Sequence, residues 1–223
     1  MSGYKEREPA FMKGVDVKIT PDEIDRYEII EVSNPSTSTS WFGTAAAGTS
    51  TQAKPLVIIN QWADWPRNLL GQVAGSSDMG GSWVVNGKDQ FGNTIAETIT
   101  IGTATNGGTV AGTKVFALVS SGTFTFTTGD LGSGTPSLGC VTVGTSVIFG
   151  LPTKIASTAD VKMITWINNG TPTTLNGGTI GAYVLTATHG FRGTATTVAL
   201  TDRYVVWLYP TYDNSSKTRL TYL

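Results

Sequence analysis

The chain is poor in the residues from which most catalytic and metal sites are built. Its 223 residues include one cysteine, Cys140, and one histidine, His189. A single cysteine forms no internal disulfide, and no cysteine cluster is present for zinc or an iron–sulfur centre. A Ser–His–Asp or Cys–His triad would have to use His189. No G-x-S-x-G elbow accompanies it, and a turn or surface position is the simpler reading. Charged residues make up 14% of the chain, against about 25% in ordinary globular proteins. With a net charge of −1, there is no basic field for nucleic acid. No apolar run approaches the ~18 residues of a membrane-spanning helix. The opening MSGYKEREPAFMKG lacks the apolar stretch of a secretory signal. A soluble product made in a cytoplasm, with no membrane and no nucleic-acid partner, is the expectation.

Acidic residues are sparse beyond the N-terminus. Asp64, Asp78, Asp89, Glu97, Asp130, Asp160, Asp202 and Asp213 are all that residues 32–223 hold. Asp130 and Asp213 stand beside Gly or Asn, and most of the others are near turn-like stretches, where Asp supplies local hydrogen bonds. They form neither a calcium loop nor an evident glycosidase pair. Gly75 to Gly81 lacks the lysine and helix of a phosphate loop. No cofactor, metal or catalytic residue is expected from this inventory.

What the chain has in abundance is threonine, 36 residues, and glycine, 27. Threonine suits a pleated, half-exposed surface, and glycine supplies tight turns. The clearest stretch runs from Trp83 to Ser121. Ile95, Ile99 and Ile101 recur at even spacing with Thr94, Ala96, Thr98 and Thr100 between them. That is the period of a half-buried strand. Val115 to Val119 is apolar on both faces, as in a central strand. Asn86 to Asn93 reads as the turn before these strands. Glu97 shares the face of the isoleucines, where a carboxylate needs a partner. Lys114 across the sheet, or an edge position open to water, are the two readings.

The remaining strands follow the same signals. Leu56 to Ile59, Phe124 with Phe126, Val141 with Val143, and Val147 to Phe149 each read as strand. Pro152 should end the last of these. Trp62 and Trp65 are expected to cap one end of the body. Residues 54–152 thus form a β-sandwich or barrel body. Residues 153–223 read as a second, smaller β unit packed on the first. Its strands are Met163 to Ile167, Gly181 to Thr186, Tyr204 to Tyr209 and Arg219 to Leu223. The fold class is all-β.

Residues 1–53 read as an extended N-terminal arm and linker. The first 31 positions carry eight acidic and five basic residues. Thr20-Pro21-Asp22-Glu23 has the form of a helix start, whereas Tyr27 to Val32 would equally suit a strand. Residues 33–53 are rich in Ser and Thr, interrupted by Trp41-Phe42-Gly43. That aromatic pair either folds back on its own body or anchors in a neighbour. Tyr27, Ile29, Trp41 and Phe42 are therefore the candidate subunit contacts.

The body resembles a group of tailed-bacteriophage virion structural proteins of the capsid decoration, or cement, type. The likeness is carried by Gly87-Lys88-Asp89-Gln90-Phe91-Gly92-Asn93 with Glu97, then Gly112-Thr113-Lys114-Val115-Phe116, then Gly150-Leu151-Pro152. Ala187 to Thr194 and Tyr204 to Tyr209 continue it. The resemblance covers about residues 83–210 and implies a non-enzymatic role on the capsid surface, with the major capsid protein as partner. A symmetric homo-oligomer, a trimer, is the expected assembly. A head or tail fibre component that binds host glycans is the alternative, with Trp62, Trp65 and Trp83 as a sugar platform. A polysaccharide depolymerase is a further one.

Overall fold

The computed structural model describes residues 28–33, 37–46, 52–73, 79–104, 108–128, 138–168, 171–174, 183–193 and 202–208. Their regular structure is strand throughout, apart from two single 3-10 turns at Thr158–Asp160 and Thr186–Thr188. No described helix is long and apolar enough to cross a membrane.

The larger sheet is built from β2 (Ser38–Ala46), β3 (Ala53–Pro55), β4 (Val57–Ile58), β5 (Trp62–Val73), β6 (Met79–Lys88), β7 (Thr94–Ala104), β8 (Gly108–Thr128), β9 (Leu138–Gly150), β12 (Val184–Leu185) and β13 (Gly190–Arg192). Its main path runs β12-β13-β9-β5-β8-β6-β7, with β2 beside β9 and β3 beside β8. Every pairing is antiparallel.

Strand β8 turns this sheet into a sandwich-like body. Residues 108–118 pair with β5, while residues 118–128 pair with β6. One strand thereby passes from one layer into the other. Across the core, a Cβ at Gly71 of β5 would lie 3.3–3.4 Å from Ile99, Ile101 and Trp83 of the opposite layer. The inward residues alternate along β7 and β8 as their sequence implies, with threonines outward. Trp83, Phe124 and Phe126 meet edge to face, at centroid distances of 5.2 and 4.8 Å. Such contacts contribute roughly 0.5–1.5 kcal/mol each beyond area burial. Pro66 sits inside β5, between two long neighbours. The β5–β8 ladder shifts register across it, between Trp62 and Arg67, and the β5–β9 ladder starts only at Arg67, as suits a residue with no N–H to donate.

The smaller sheet has the order β1-β14-β10-β11: β1 (Glu28–Ser33), β14 (Asp202–Leu208), β10 (Val161–Asn168) and β11 (Thr171–Thr174). Its inner face contributes Ile30, Val32, Val161, Ile164, Tyr204, Val206 and Leu208 to a second core with Phe149 and Phe191. Phe149, at the end of β9, stacks on Phe191 and meets Tyr204 at a tilt. The exposed strand β11 lies at one edge of this sheet and carries Pro172, which blunts it against further pairing.

The residues expected to form an arm and linker are integral to both sheets where they are described. β1 pairs with β14 along its whole length, the strand reading of residues 27–32. β2 occupies the stretch read as linker, and pairs with β9. Ser38, Thr39, Ser40 and Thr44, which suggested a linker, lie in β2 together with Phe42 and Ala45, which are fully buried. Likewise β12 and β13, from the C-terminal third, join the larger sheet. The helix-start signal at Thr20, Tyr27, and the strand expected at Arg219 to Leu223 lie outside the described residues.

Glu31 and Arg203 tie β1 to β14 on the outer face, with Arg203 Nε donating to Glu31 at 2.9 Å. Hydrogen bonds from Ser33 and Arg203 hold the Glu31 carboxyl below its ordinary value. A depressed carboxyl stabilises the fold above the ordinary carboxylate range and loses that effect as pH falls through its folded value. Both side chains are nearly half exposed, so the contribution is at most about 1 kcal/mol. Glu31→Gln should therefore lower stability slightly at neutral pH. Its urea-unfolding midpoint should converge with that of the wild type in acid.

Candidate docking surface and cleft

The segment from Val57 to Trp62 exposes three large apolar side chains. Val57 is 49%, Ile59 61% and Trp62 65% exposed. Their backbone is nonetheless tied down. Ile59 N donates to Phe42 O at 2.8 Å, and Val119 N to Gln61 O at 2.8 Å. Trp41 Nε1 donates to Trp62 O at 2.8 Å, and Asn60 Nδ2 to Trp41 O at 2.9 Å. Trp41 is half-buried against the core, and Phe42 beneath it is fully buried. Of the four residues singled out as subunit contacts, Phe42 has no exposed surface to offer a neighbour. Trp41 buttresses the patch, and Ile29 lies half-exposed on the outer face of the smaller sheet. Val57, Ile59 and Trp62 are not among those four. A short apolar strand running through Asn60 and Gln61 into a tryptophan was the available signal.

The tryptophans proposed as a sugar platform do not share a surface. Trp83 is fully buried in the core. Trp65 is half-buried and donates Nε1 to Gly150 O at 2.8 Å. Only Trp62 of the three is open.

The residues that carry the resemblance have structural work. Asp89 organises the β6–β7 turn. Its Oδ1 accepts from Phe91 N at 2.9 Å and Asn93 N at 2.8 Å, and its Oδ2 from Asn93 Nδ2 at 2.9 Å. Gly92 closes the turn at φ 83°, which glycine adopts without a Cβ clash. Glu97 is buried, yet its partner is not the Lys114 ammonium. Register slips between β5 and β8 near Gly112, and the side chain of Glu97 accepts from Thr113 N, from Thr113 Oγ1 at 3.0 Å, and from Lys114 N at 3.1 Å. Lys114 Nζ turns instead to Ala96 O at 2.7 Å. On the other side of the slip, Asn68 donates to Gly112 O at 2.7 Å and accepts from Ile148 N at 2.8 Å. Two buried polar side chains thus satisfy backbone groups around a bulge.

His189 lies in the left-handed region, with φ 48°. Its Nδ1 is 3.0 Å from Ile155 O and 3.2 Å from Ile155 N. It faces backbone there, not a carboxylate. Its ring meets Phe91 edge-on at 5.5 Å, beside a shallow cleft of about 240 Å³ between the β6–β7 turn and the Thr186–Thr188 turn. Asp89 is the one acid lining the cleft, and its oxygens serve its own turn. Among the described residues, no three His, Cys, Asp or Glu side chains group to hold a metal. Asp78, Asp130 and Asp213 lie outside the described residues. Comparison with known protein families, curated proteins and solved structures finds no match for this chain.

Proposed function

We propose that this chain is a bacteriophage virion structural protein, a capsid decoration protein that stabilises the head by bridging capsid subunits. One observation carries the reading: a hydrogen-bonded, preordered apolar patch, Val57–Ile59–Trp62, on a stiff antiparallel body. Exposed apolar groups clustered this way are a mark of association, and a fixed backbone lowers the ordering cost of docking. An exposed tryptophan such as Trp62 is a common anchor at interfaces. The proposed occupant is the major capsid protein. The resemblance of the sequence to decoration proteins is what suggests this occupant; Asp89, Glu97 and Gly112, which carry part of it, shape turns and bulges in this fold. Neighbouring copies, in a trimer, would present several such patches at once and multiply a weak single contact.

The test is co-sedimentation of the purified chain with capsid shells that lack it. Trp62→Ser should leave folding stability within about 0.5 kcal/mol, as for an exposed position. It should weaken shell binding at least tenfold, or about 1.4 kcal/mol. Undiminished binding by a Trp62→Ser, Ile59→Ser double variant would sink the reading. So would labelling that finds the chain in a few copies at the tail instead of over the head.

A further inference from the structure

We infer that the cleft beside His189 binds a single carboxylate-bearing sugar ring, the terminal residue of an acidic glycan. The inference does not depend on the capsid reading, because it uses different residues.

The floor of the cleft is apolar: Phe91, Ile95 and the buried Val115 line it. Its volume, about 240 Å³, is below the ~300–1,000 Å³ typical of drug-sized sites. One ring fits that space better than an extended chain. Two lysines stand beside it. Lys114 lines the cleft, with its Nζ donating to Ala96 O at 2.7 Å, and Lys154 Nζ stands 5.5 Å from the Phe91 ring centroid. Asp89 keeps its negative charge, but its oxygens are occupied by the turn's own N–H groups, and two lysines stand against this one carboxylate. The electrostatic preference is for an anion.

The uncommitted polar atoms narrow the class further. Gln90 donates its amide to Thr188 O at 2.8 Å, while no described residue donates to its Oε1. His189 Nδ1 is held by the Ile155 backbone, while no described residue bonds its Nε2. The cleft therefore offers an acceptor as well as donors. A bare carboxylate side chain could satisfy the ammonium groups but would leave Gln90 Oε1 without a donor. A sugar ring carries hydroxyl donors and acceptors beside its acid, and its C–H face suits the apolar floor. An acidic sugar answers all three features together, and a neutral sugar or a simple diacid answers only two.

The test titrates the full-length chain with three probes, followed by backbone amide NMR. They are methyl glucuronoside, methyl glucoside (the same ring without the acid) and glutarate (acid without the ring). The glucuronoside should saturate with a Kd of a few millimolar, an affinity of about −3 to −4 kcal/mol being ordinary for a single small contact set. Shifts should centre on Gln90, Phe91, Thr188 and His189. Both other probes should bind about tenfold more weakly. Lys114→Gln should weaken the glucuronoside about five- to tenfold and remove its advantage over the glucoside. This side chain is exposed, so the variant should fold. His189→Asn, a residue that tolerates the left-handed backbone, should weaken all ring-bearing probes. The inference fails if the glucuronoside gives no saturable shifts to about 50 mM. It fails equally if the glucoside matches it, if glutarate matches it, which would mark a socket for an acidic protein side chain, or if Lys114→Gln changes nothing.

Discussion

Arg67→Met should destabilise the protein by about 2–4 kcal/mol, read as a fall in the urea midpoint at unchanged slope. Arg67 is fully buried, in the strand that joins the two cores. Its Nε donates to Ser146 O at 2.7 Å, and a second guanidinium nitrogen donates to the same oxygen. Nη1 pairs with Asp64 at 3.1 Å, and the guanidinium carbon lies 4.9 Å from the Phe149 ring centroid. Burial lowers the pKa of the guanidinium and Asp64 opposes it, but an arginine remains charged at any pH at which the protein folds. Methionine keeps most of the volume, so the loss measured is chiefly electrostatic. It strands a buried carbonyl and a carboxylate whose side chain is only 23% exposed. Arg67→Lys should also be costly, because a single ammonium cannot serve Ser146, Asp64 and the ring together. Asp64→Asn should cost less than either, since water reaches that side of the pair. An Arg67→Met variant within about 0.5 kcal/mol of wild type would show that the buried charge is dispensable.

Gly112→Ala is the second large effect, expected at about 2–4 kcal/mol. A Cβ there would overlap Glu97 Oε2 and lie 2.8 Å from its Cδ. The carboxylate would have to leave, and Thr113 N and Lys114 N would lose the acceptor they share. Glu97→Ala should cost about 1.5–3 kcal/mol by the same loss, at charge-assisted hydrogen bonds. The informative measurement is the double variant. With no carboxylate to clash against, the methyl group that Gly112→Ala adds fills space that Glu97→Ala vacates. The double variant should then be no worse than the more damaging single one by more than about 0.5 kcal/mol. Strict additivity would mean that Gly112 matters for its backbone freedom and not for the room it leaves. The pair also gives a physical reason for the spacing of Glu97 and Gly112 in the chain: both ends of that pattern meet at one bulge.

What was legible locally can be traced to particular residues. The alternation of Ile95, Glu97, Ile99 and Ile101 identified a strand and its buried face. Gly150-Leu151-Pro152 marked the end of β9, which stops at Gly150. The patch at Val57 to Trp62 and the cleft beside His189 were not legible, because exposure is a property of neighbours. Nor was the register shift across Pro66, between Trp62 and Arg67 of the β5–β8 ladder, because it depends on the partner strand.

The amino-acid order by itself determined that this protein is all-β, which faces of its strands are apolar, and where several of its turns fall. Those follow from a two-residue period and from backbone preferences that act over a few positions. The tertiary structure alone decided which partners meet. It took β1 to β14 across more than 170 residues of chain, put Phe42 into the core, and gave the Glu97 carboxylate to backbone N–H groups in place of the lysine ammonium. Pairing between distant strands is set by how the whole set of apolar faces can be buried at once, and no local pattern encodes that solution.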